Sequence, residues 1–326
     1  MENILKKRLA IIKARAKRLR RLHLSIETNG RAESGSAPID SRSDLISSGP
    51  SDNTLVRQRL KDPRFIESDV DQSDADDWES GPLEDLVKGE EREVGGWNFY
   101  LVRQKDSEID PCAGREALEF LSVDRGRYNG AGIRAGGRQV GPNPLEAPRE
   151  RVCFFDIETT GLSTSTYIFL GGMMFLDGDK FLVEQAFARD YEEEGGVLRY
   201  IQNRFGAFDA IVTYNGRTFD LPFVRARMAV NRIGFDENFF HLDLLSFARR
   251  AYSGFLENCR LETVERHLRS RDRVGDIPGS QIPNAYHAYV MTGEAALVKR
   301  VLYHNRMDLL SMAILYNQLW PRKRRS

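Results

Sequence analysis

Val152-Cys-Phe-Phe-Asp156-Ile-Glu158-Thr-Thr-Gly161 couples an apolar run to two acids and a sharp turn. Val152-Cys-Phe-Phe155 is short and continuously apolar, as a buried strand of a parallel or mixed sheet is. Strand side chains alternate, so Asp156 and Glu158 point to one face at the strand's end. Two carboxylates side by side in a half-buried place repel each other and are reconciled by a cation between them. Hard oxygen ligands suit Mg²⁺ or Mn²⁺. Thr159-Thr160-Gly161 then turns the chain and lets backbone approach a ligand. The same letters also describe solvated acids at a loop edge, so partners elsewhere in the chain must separate the two readings.

Further on, 167–176 and 181–188 are apolar stretches flanking Asp177-Gly178-Asp179-Lys180, a hairpin signal. A helix is expected around 196–205, a buried strand at 210–214 and a helix at 221–230. A third apolar strand at 239–243 leads into a helix at 244–252, and a long helix covers about 295–319. Hairpin strands followed by alternating strands and helices make an α/β sandwich with a mixed sheet over residues 150–320.

Asn215-Gly-Arg-Thr-Phe-Asp220 directly follows the strand at 210–214. In α/β sheets, ligands bind in the crevice beyond the carboxyl ends of the strands. This segment and the Asp156/Glu158 pair both lie at such ends. Asn215-Gly216 is equally an ordinary turn, and Asp220 equally the N-cap of the next helix. His304-Asn-Arg-Met-Asp308 lies on the last helix, where residues i and i+4 share a face, so His304 and Asp308 project together. Leu302, Leu309, Met312 and Leu315 supply the apolar packing beside them. Asp243 reads as an acid supporting this cluster or, more simply, as the cap of the following helix. His241 reads as a part-buried structural histidine.

As an ordered set, Asp156-x-Glu158, Asn215-x-x-x-Phe219-Asp220 and His304-x-x-x-Asp308 resemble the three motifs of the DEDD 3′→5′ exonucleases, which have a ribonuclease H-like fold. Residues 156–162, 167–171 and 214–223, Asp276-Ile-Pro-Gly279 with Ile282-Pro283, and His304-Asn305 with Asp308 are similar to the YprB-type ribonuclease H-like domain of bacteria. The resemblance covers roughly 150–320 and implies a mixed five-stranded sheet flanked by helices. It implies a metal-dependent nuclease, most naturally a 3′→5′ exonuclease on single-stranded DNA or RNA. A structure-specific endonuclease and a catalytically weak nucleic-acid-binding protein are the alternatives.

The resemblance further implies that Asp156, Glu158 and Asp308 hold two divalent cations, Mg²⁺ or Mn²⁺, with Asp220 joining directly or through water. His304 would be the general base. Thr159, Gly161, Leu162, Asn215, Arg217 and Phe219 would line the substrate, with Leu162 as a wedge beside the terminal base and Arg217 on phosphate. Physical chemistry agrees with these roles. Two ions about 4 Å apart stabilise the attacking and leaving oxygens of an in-line displacement. An imidazole titrating near pH 6.5 suits proton abstraction near neutrality. One departure stands out: His-type members place the base five positions before the last Asp, and Tyr-type members four. Here Tyr303 has the five-position spacing and His304 the four. A phenol titrates near 10, which favours His304, with Tyr303 as the alternative. Asp276-Ile-Pro-Gly279 is expected as a tight turn framing the substrate entrance.

The remainder of the 326 residues is organised differently. Acidic and basic residues balance at 48 each, so attraction to nucleic acid must come from local patches. Residues 1–24 form a basic amphipathic pattern, with Leu5, Leu9, Ile12, Ala16 and Leu19 as one seam among lysines and arginines. Such a helix docks on nucleic acid, a partner or an anionic membrane surface. Residues 25–81 are rich in Ser, Asp, Gly and Pro and are expected as a disordered linker. Residues 82–149 form an N-terminal extension with a short strand at 97–102 and a Gly/Arg/Pro loop at 125–148; residues 321–326 are a basic tail. Cys112, Cys153 and Cys259 are dispersed and odd in number, which argues for a reducing compartment. With no run of membrane-spanning length and no secretory signal, a cytoplasmic location is expected.

Overall fold

Strand Val152–Thr159, which carries the first two acids, sits near the middle of a seven-stranded sheet. The structure is a computed structural model and describes residues 80–105 and 147–319, except 179, 270–272 and 274. Its strands are β1 (Glu90–Val94), β2 (Trp97–Lys105), β3 (Val152–Thr159), β4 (Ile168–Asp177), β5 (Lys180–Phe187), β6 (Ala210–Thr213) and β7 (Phe240–Asp243). Its helices are α1 (Leu83–Leu86), α2 (Glu194–Phe205), α3 (Asp220–Val230), α4 (Leu245–Tyr252), α5 (Leu261–Arg269), α6 (Ile282–Thr292) and α7 (Ala296–Leu319). Strand order is β1-β2-β5-β4-β3-β6-β7. β3, β4 and β5 are antiparallel neighbours, whereas β6 and β7 run parallel to β3, so the sheet is mixed.

The expected five strands are all present as β3 to β7. The hairpin β1–β2 extends them to seven by pairing β2 antiparallel to β5. That pairing covers an edge otherwise presenting unpaired backbone groups. The new edge, β1, is Glu-Glu-Arg-Glu over its exposed residues, a charged border that discourages further pairing. The expected strand at 97–102 is therefore longer and belongs to the main sheet. The expectations for residues 1–24, 25–79, the loop at 125–146 and the tail at 321–326 lie outside the described residues.

Alternation on β3 divides the core into two layers. Cys153, Phe155 and Ile157 face one cluster with α2, α3 and α6. Val152 and Phe154 face the other, with Met174, Leu176, Phe181 and Val183 of the hairpin and with α4, α5 and α7. Asp156 and Glu158 continue the second face. Helix α7 gives Val298, Val301 and Leu302 to the first cluster and Met307 to Tyr316 to the second, so its middle, residues 303–308, lies where the layers change over. Three helices, α1, α5 and α6, have no counterpart among the helices expected from sequence. Gly279–Gln281 is a single 3₁₀ turn, and Ile282-Pro283 opens α6, a proline position that costs no hydrogen bond.

Candidate functional site

Asp156 and Glu158 stand two residues apart on the α7 side of β3, both half-buried. Asp220 opens α3 and is 3 % exposed; its Oδ1 accepts from the Ile157 backbone N–H at 3.2 Å, between the two acids. Asp308 comes from α7. These four charges feel one another. Burial first, then Glu158, Asp308 and Asp220, push Asp156 well above the usual carboxylate range, against a hydrogen bond from Asn305. Burial also lifts Glu158 to about 8, opposed by His304 and reinforced by Asp308, Asp220 and Asp276. Asp220 rises to about 7 through burial, against hydrogen bonds from its own and the Ile157 backbone, with Asp243 and Asp308 adding to the rise. The sequence-distant acids are thus brought together.

His304 joins them through two contacts. Its Nδ1 lies 2.9 and 3.1 Å from the two carboxylate oxygens of Asp276, and its Nε2 lies 3.7 Å from Asp308 Oδ2. A carboxylate only accepts, so Nδ1 carries the hydrogen and Nε2 is the edge facing the acids. Burial opposes a charged ring here, but the hydrogen bond to Asp276 and the charges of Asp308, Glu158 and Asp276 outweigh it and raise His304 to about 9. Tyr303, one position earlier, packs beside the second core cluster with Arg306 over its ring at 5.5 Å. Successive helical residues diverge by about 100°, so the two candidates for the base face different surroundings.

Three neighbours complete the site: Arg273 and Asn305 were given no place in it from sequence, and Asp276 only as part of a turn framing the entrance. Asp276 holds His304, as just described. Arg273, 5 % exposed in its side chain, pairs with Asp308 at 2.6 Å, with Asp276 at 3.2 Å and with buried Glu265 at 2.6 Å. Asn305 is fully buried; its side-chain amide donates to Asp156 Oδ2 at 2.8 Å, and its oxygen accepts from Gln185 at 2.8 Å. Asp156, Gly172 and Gln185 are directly opposite one another across β3, β4 and β5. A Cβ at Gly172 would stand 2.0 Å from Asn305 Oδ1. Glycine at the middle of this rung is what lets Asn305 descend between Asp156 and Gln185. The signal was available in part: a glycine inside a buried strand marks a close approach. Its partner could not be read from the strand.

The expected substrate residues sit in two loops. Leu162 is 88 % exposed on the loop from β3 to β4. Thr159 is buried, and its hydroxyl donates to the Gly161 carbonyl at 2.7 Å, closing the turn. Asn215 adopts φ 67° and its side chain accepts from the Thr218 hydroxyl at 2.7 Å. Arg217 is exposed, while Phe219 packs on Phe223 with ring centroids 5.4 Å apart. Asp243 anchors this loop and the first N–H of α4, while the cap position itself falls to Leu244 rather than to the expected Asp243. It accepts from the backbone N–H of Asn215 at 2.8 Å, Arg217 at 3.1 Å and Leu245 at 3.0 Å. His241 is held low, at about 4, chiefly by burial, and its Nε2 is 2.9 Å from the Thr213 hydroxyl, consistent with a structural role.

The donor set suits hard divalent ions, being all oxygen, recessed and over-supplied with negative charge. Among the described residues, no three His, Cys, Asp or Glu side chains are gathered as ligands of one ion. Asp308 is paired instead with Arg273.

Comparison with known proteins gives the family. Over 174 residues, 52 % of this chain, it is 34 % identical to the uncharacterized protein YprB of Bacillus subtilis strain 168, and it spans 41 % of that protein's length. It also resembles the family B DNA polymerase of the archaeon Pyrobaculum calidifontis, at 16 % identity and a TM-score of 0.42, over 74 % of this chain and 45 % of the polymerase. That likeness is too loose to carry an argument. A family model of the RNase H superfamily, RNase_H_2, matches residues 153–320. Those residues hold the whole acid cluster, its histidine and the five strands β3 to β7, and the chain belongs to the RNase H superfamily.

Proposed function

We propose that this chain is a metal-dependent nuclease that hydrolyses phosphodiester bonds, acting from the 3′ end of DNA or RNA strands. The observation that carries the reading is the meeting of Asp156, Glu158, Asp220 and Asp308, from three separate elements, around an imidazole oriented by Asp276. Asp156, Glu158 and Asp308 would hold two divalent ions, with Asp220 completing the set. Bound there, such ions stabilise the charge that develops on the phosphate oxygens during displacement.

The protein's own groups do the remainder. His304 Nε2 accepts a proton from the attacking water, while Asp276 keeps the ring in the required tautomer through Nδ1. For that step the ring must be neutral. Compensating the charges of Asp308 and Glu158 removes two of the causes that hold it protonated at neutral pH. Asn305 fixes the orientation of the Asp156 carboxylate. Asp243 holds the backbone of the loop that leads into Asp220.

One observation favours a second reading. Arg273 already supplies Asp308 with a cation, as would suit a nucleic-acid-binding protein with little chemistry. Incubation with 3′- and 5′-labelled single- and double-stranded DNA and RNA, with and without Mn²⁺, separates the two. The nuclease reading expects Mn²⁺-dependent shortening from the 3′ end, lost in Asp156→Ala and strongly reduced in His304→Ala. Metal-independent cleavage, or cleavage that survives Asp156→Ala, would overturn it. Binding without any cleavage would favour the second reading.

A further inference from the structure

Outside the acid cluster, one surface combines exposed rings with arginines. Tyr252 at the end of α4, Phe255 on the following loop and His267 on α5 form a triangle of rings with centroids 5.3 to 5.8 Å apart. Phe255 is 61 % exposed, and His267 is exposed as well. Exposed Arg249 lies three residues before Tyr252, on the same side of α4. Exposed Arg250 lies over the Phe247 ring at 4.3 Å. Exposed Arg260 opens the approach to α5. The nearby acids are Glu257 and Glu262, both exposed, and Glu262 is paired with Arg266.

This surface is joined to the candidate active site. The Tyr214 hydroxyl, at the end of β6, donates to the Cys259 carbonyl at 2.5 Å, and Arg249 is close enough for its charge to act on Tyr214. Tyr214 is followed at once by the Asn215–Asp220 loop. Asp243 accepts from the first N–H of α4 and from that same loop. The rings and arginines therefore stand beside the loop that leads to Asp220, on a support tied to it at two places.

We propose that this face receives single-stranded nucleic acid, with unpaired bases stacking on Phe255 and His267 and phosphates meeting Arg249 and Arg250. Charge and shape both select that occupant. The chain has no net charge, so a polyanion must find a local cluster of arginines. Exposed ring faces beside such a cluster accept any unpaired base, whereas the bases of a duplex are stacked on one another. The proposal rests on the nuclease reading and adds to it the surface that holds the unpaired strand.

The test is fluorescence anisotropy of the full chain in EDTA with labelled 20-mers of single-stranded DNA, single-stranded RNA and blunt duplex DNA. Phe255→Ala should weaken single-strand binding by about tenfold, as loss of one stacked base does, and leave duplex binding unchanged. Phe255→Trp should restore the affinity, which a fold defect would not permit. Arg249→Gln with Arg250→Gln should lower the slope of log affinity against log salt by about 1.4. Unchanged binding by Phe255→Ala, an equal loss on duplex, or a parent protein that binds no single strand would each overturn the platform. Hydrolysis without Phe255-dependent binding removes the platform alone. Phe255-dependent binding without hydrolysis removes the nuclease alone.

Discussion

A single missing methyl group organises the centre of the candidate site. Gly172 lies between Asp156 and Gln185 on one rung of the sheet, and Asn305 occupies the space above it. Gln185 donates to Asn305 Oδ1 and to the Leu302 carbonyl, which turns the Asn305 amino group toward Asp156. Gly172→Ala would place a carbon within 2.0 Å of Asn305 Oδ1, so α7 or the side chain must shift. Nuclease activity is expected to fall at least tenfold, with a lower unfolding midpoint in urea. Asn305→Ala should destabilise by about 1–3 kcal/mol, because Gln185 and Asp156 are then left short of buried partners. A Gly172→Ala protein with parental stability and rate would show that the rung does not control the site.

At the scale of elements, Asp243 performs two tasks from the end of β7. One carboxylate accepts from the first N–H of α4 and holds the backbone of a loop whose Asn215 sits at φ 67°. Removing it leaves three backbone donors without their acceptor. Asp243→Ala should cost roughly 2 kcal/mol or more, more than loss of a cap alone. It should also slow hydrolysis, because the freed loop leads into Asp220. Asp243→Asn retains an acceptor and should fall between Asp243→Ala and the parent. Urea titration beside a rate measurement separates the two effects. A loss in stability with an unchanged rate would restrict Asp243 to a structural task.

For the whole molecule, the raised acids and His304 dominate the pH dependence of stability. Acids raised in the folded state hold their protons more firmly there than in the unfolded chain. Their contribution is therefore lost as pH climbs from the carboxylate range to about 7 for Asp220 and about 8 for Glu158. His304 is also raised, so its contribution is complete below about 6.5 and is lost as pH climbs to about 9. Asp276, held low despite burial by its bonds to His304 and Arg273, acts oppositely in acid, and His241, held at about 4 chiefly by burial, offsets part of the decline below about pH 6.5. Without added metal, the melting temperature is expected to decline steadily between about pH 5 and pH 9. Mn²⁺ should raise it, and by more at the alkaline end, where the acids are ionised. Differential scanning fluorimetry across that range checks both. A flat profile with no effect of Mn²⁺ would argue against a charged, metal-ready cluster.

What could be read along the chain was local. The apolar run before Asp156, the hairpin around Gly178 and the i, i+4 pair on α7 follow from periodicity and spacing, which act over a few residues, while the acids as one set came from the family resemblance. The hairpin at 90–105 could be seen only in part, because charged edge strands lack the apolar alternation that marks central ones. Packing alone decided the rest. It brought Asp276 and Arg273 to His304 and Asp308, chose His304 over Tyr303 as the ring facing the acids, and set Asn305 above Gly172. Each of these depends on which surfaces meet when helices close over a sheet. That is a property of the assembled layers, since no residue's neighbours in sequence contain it.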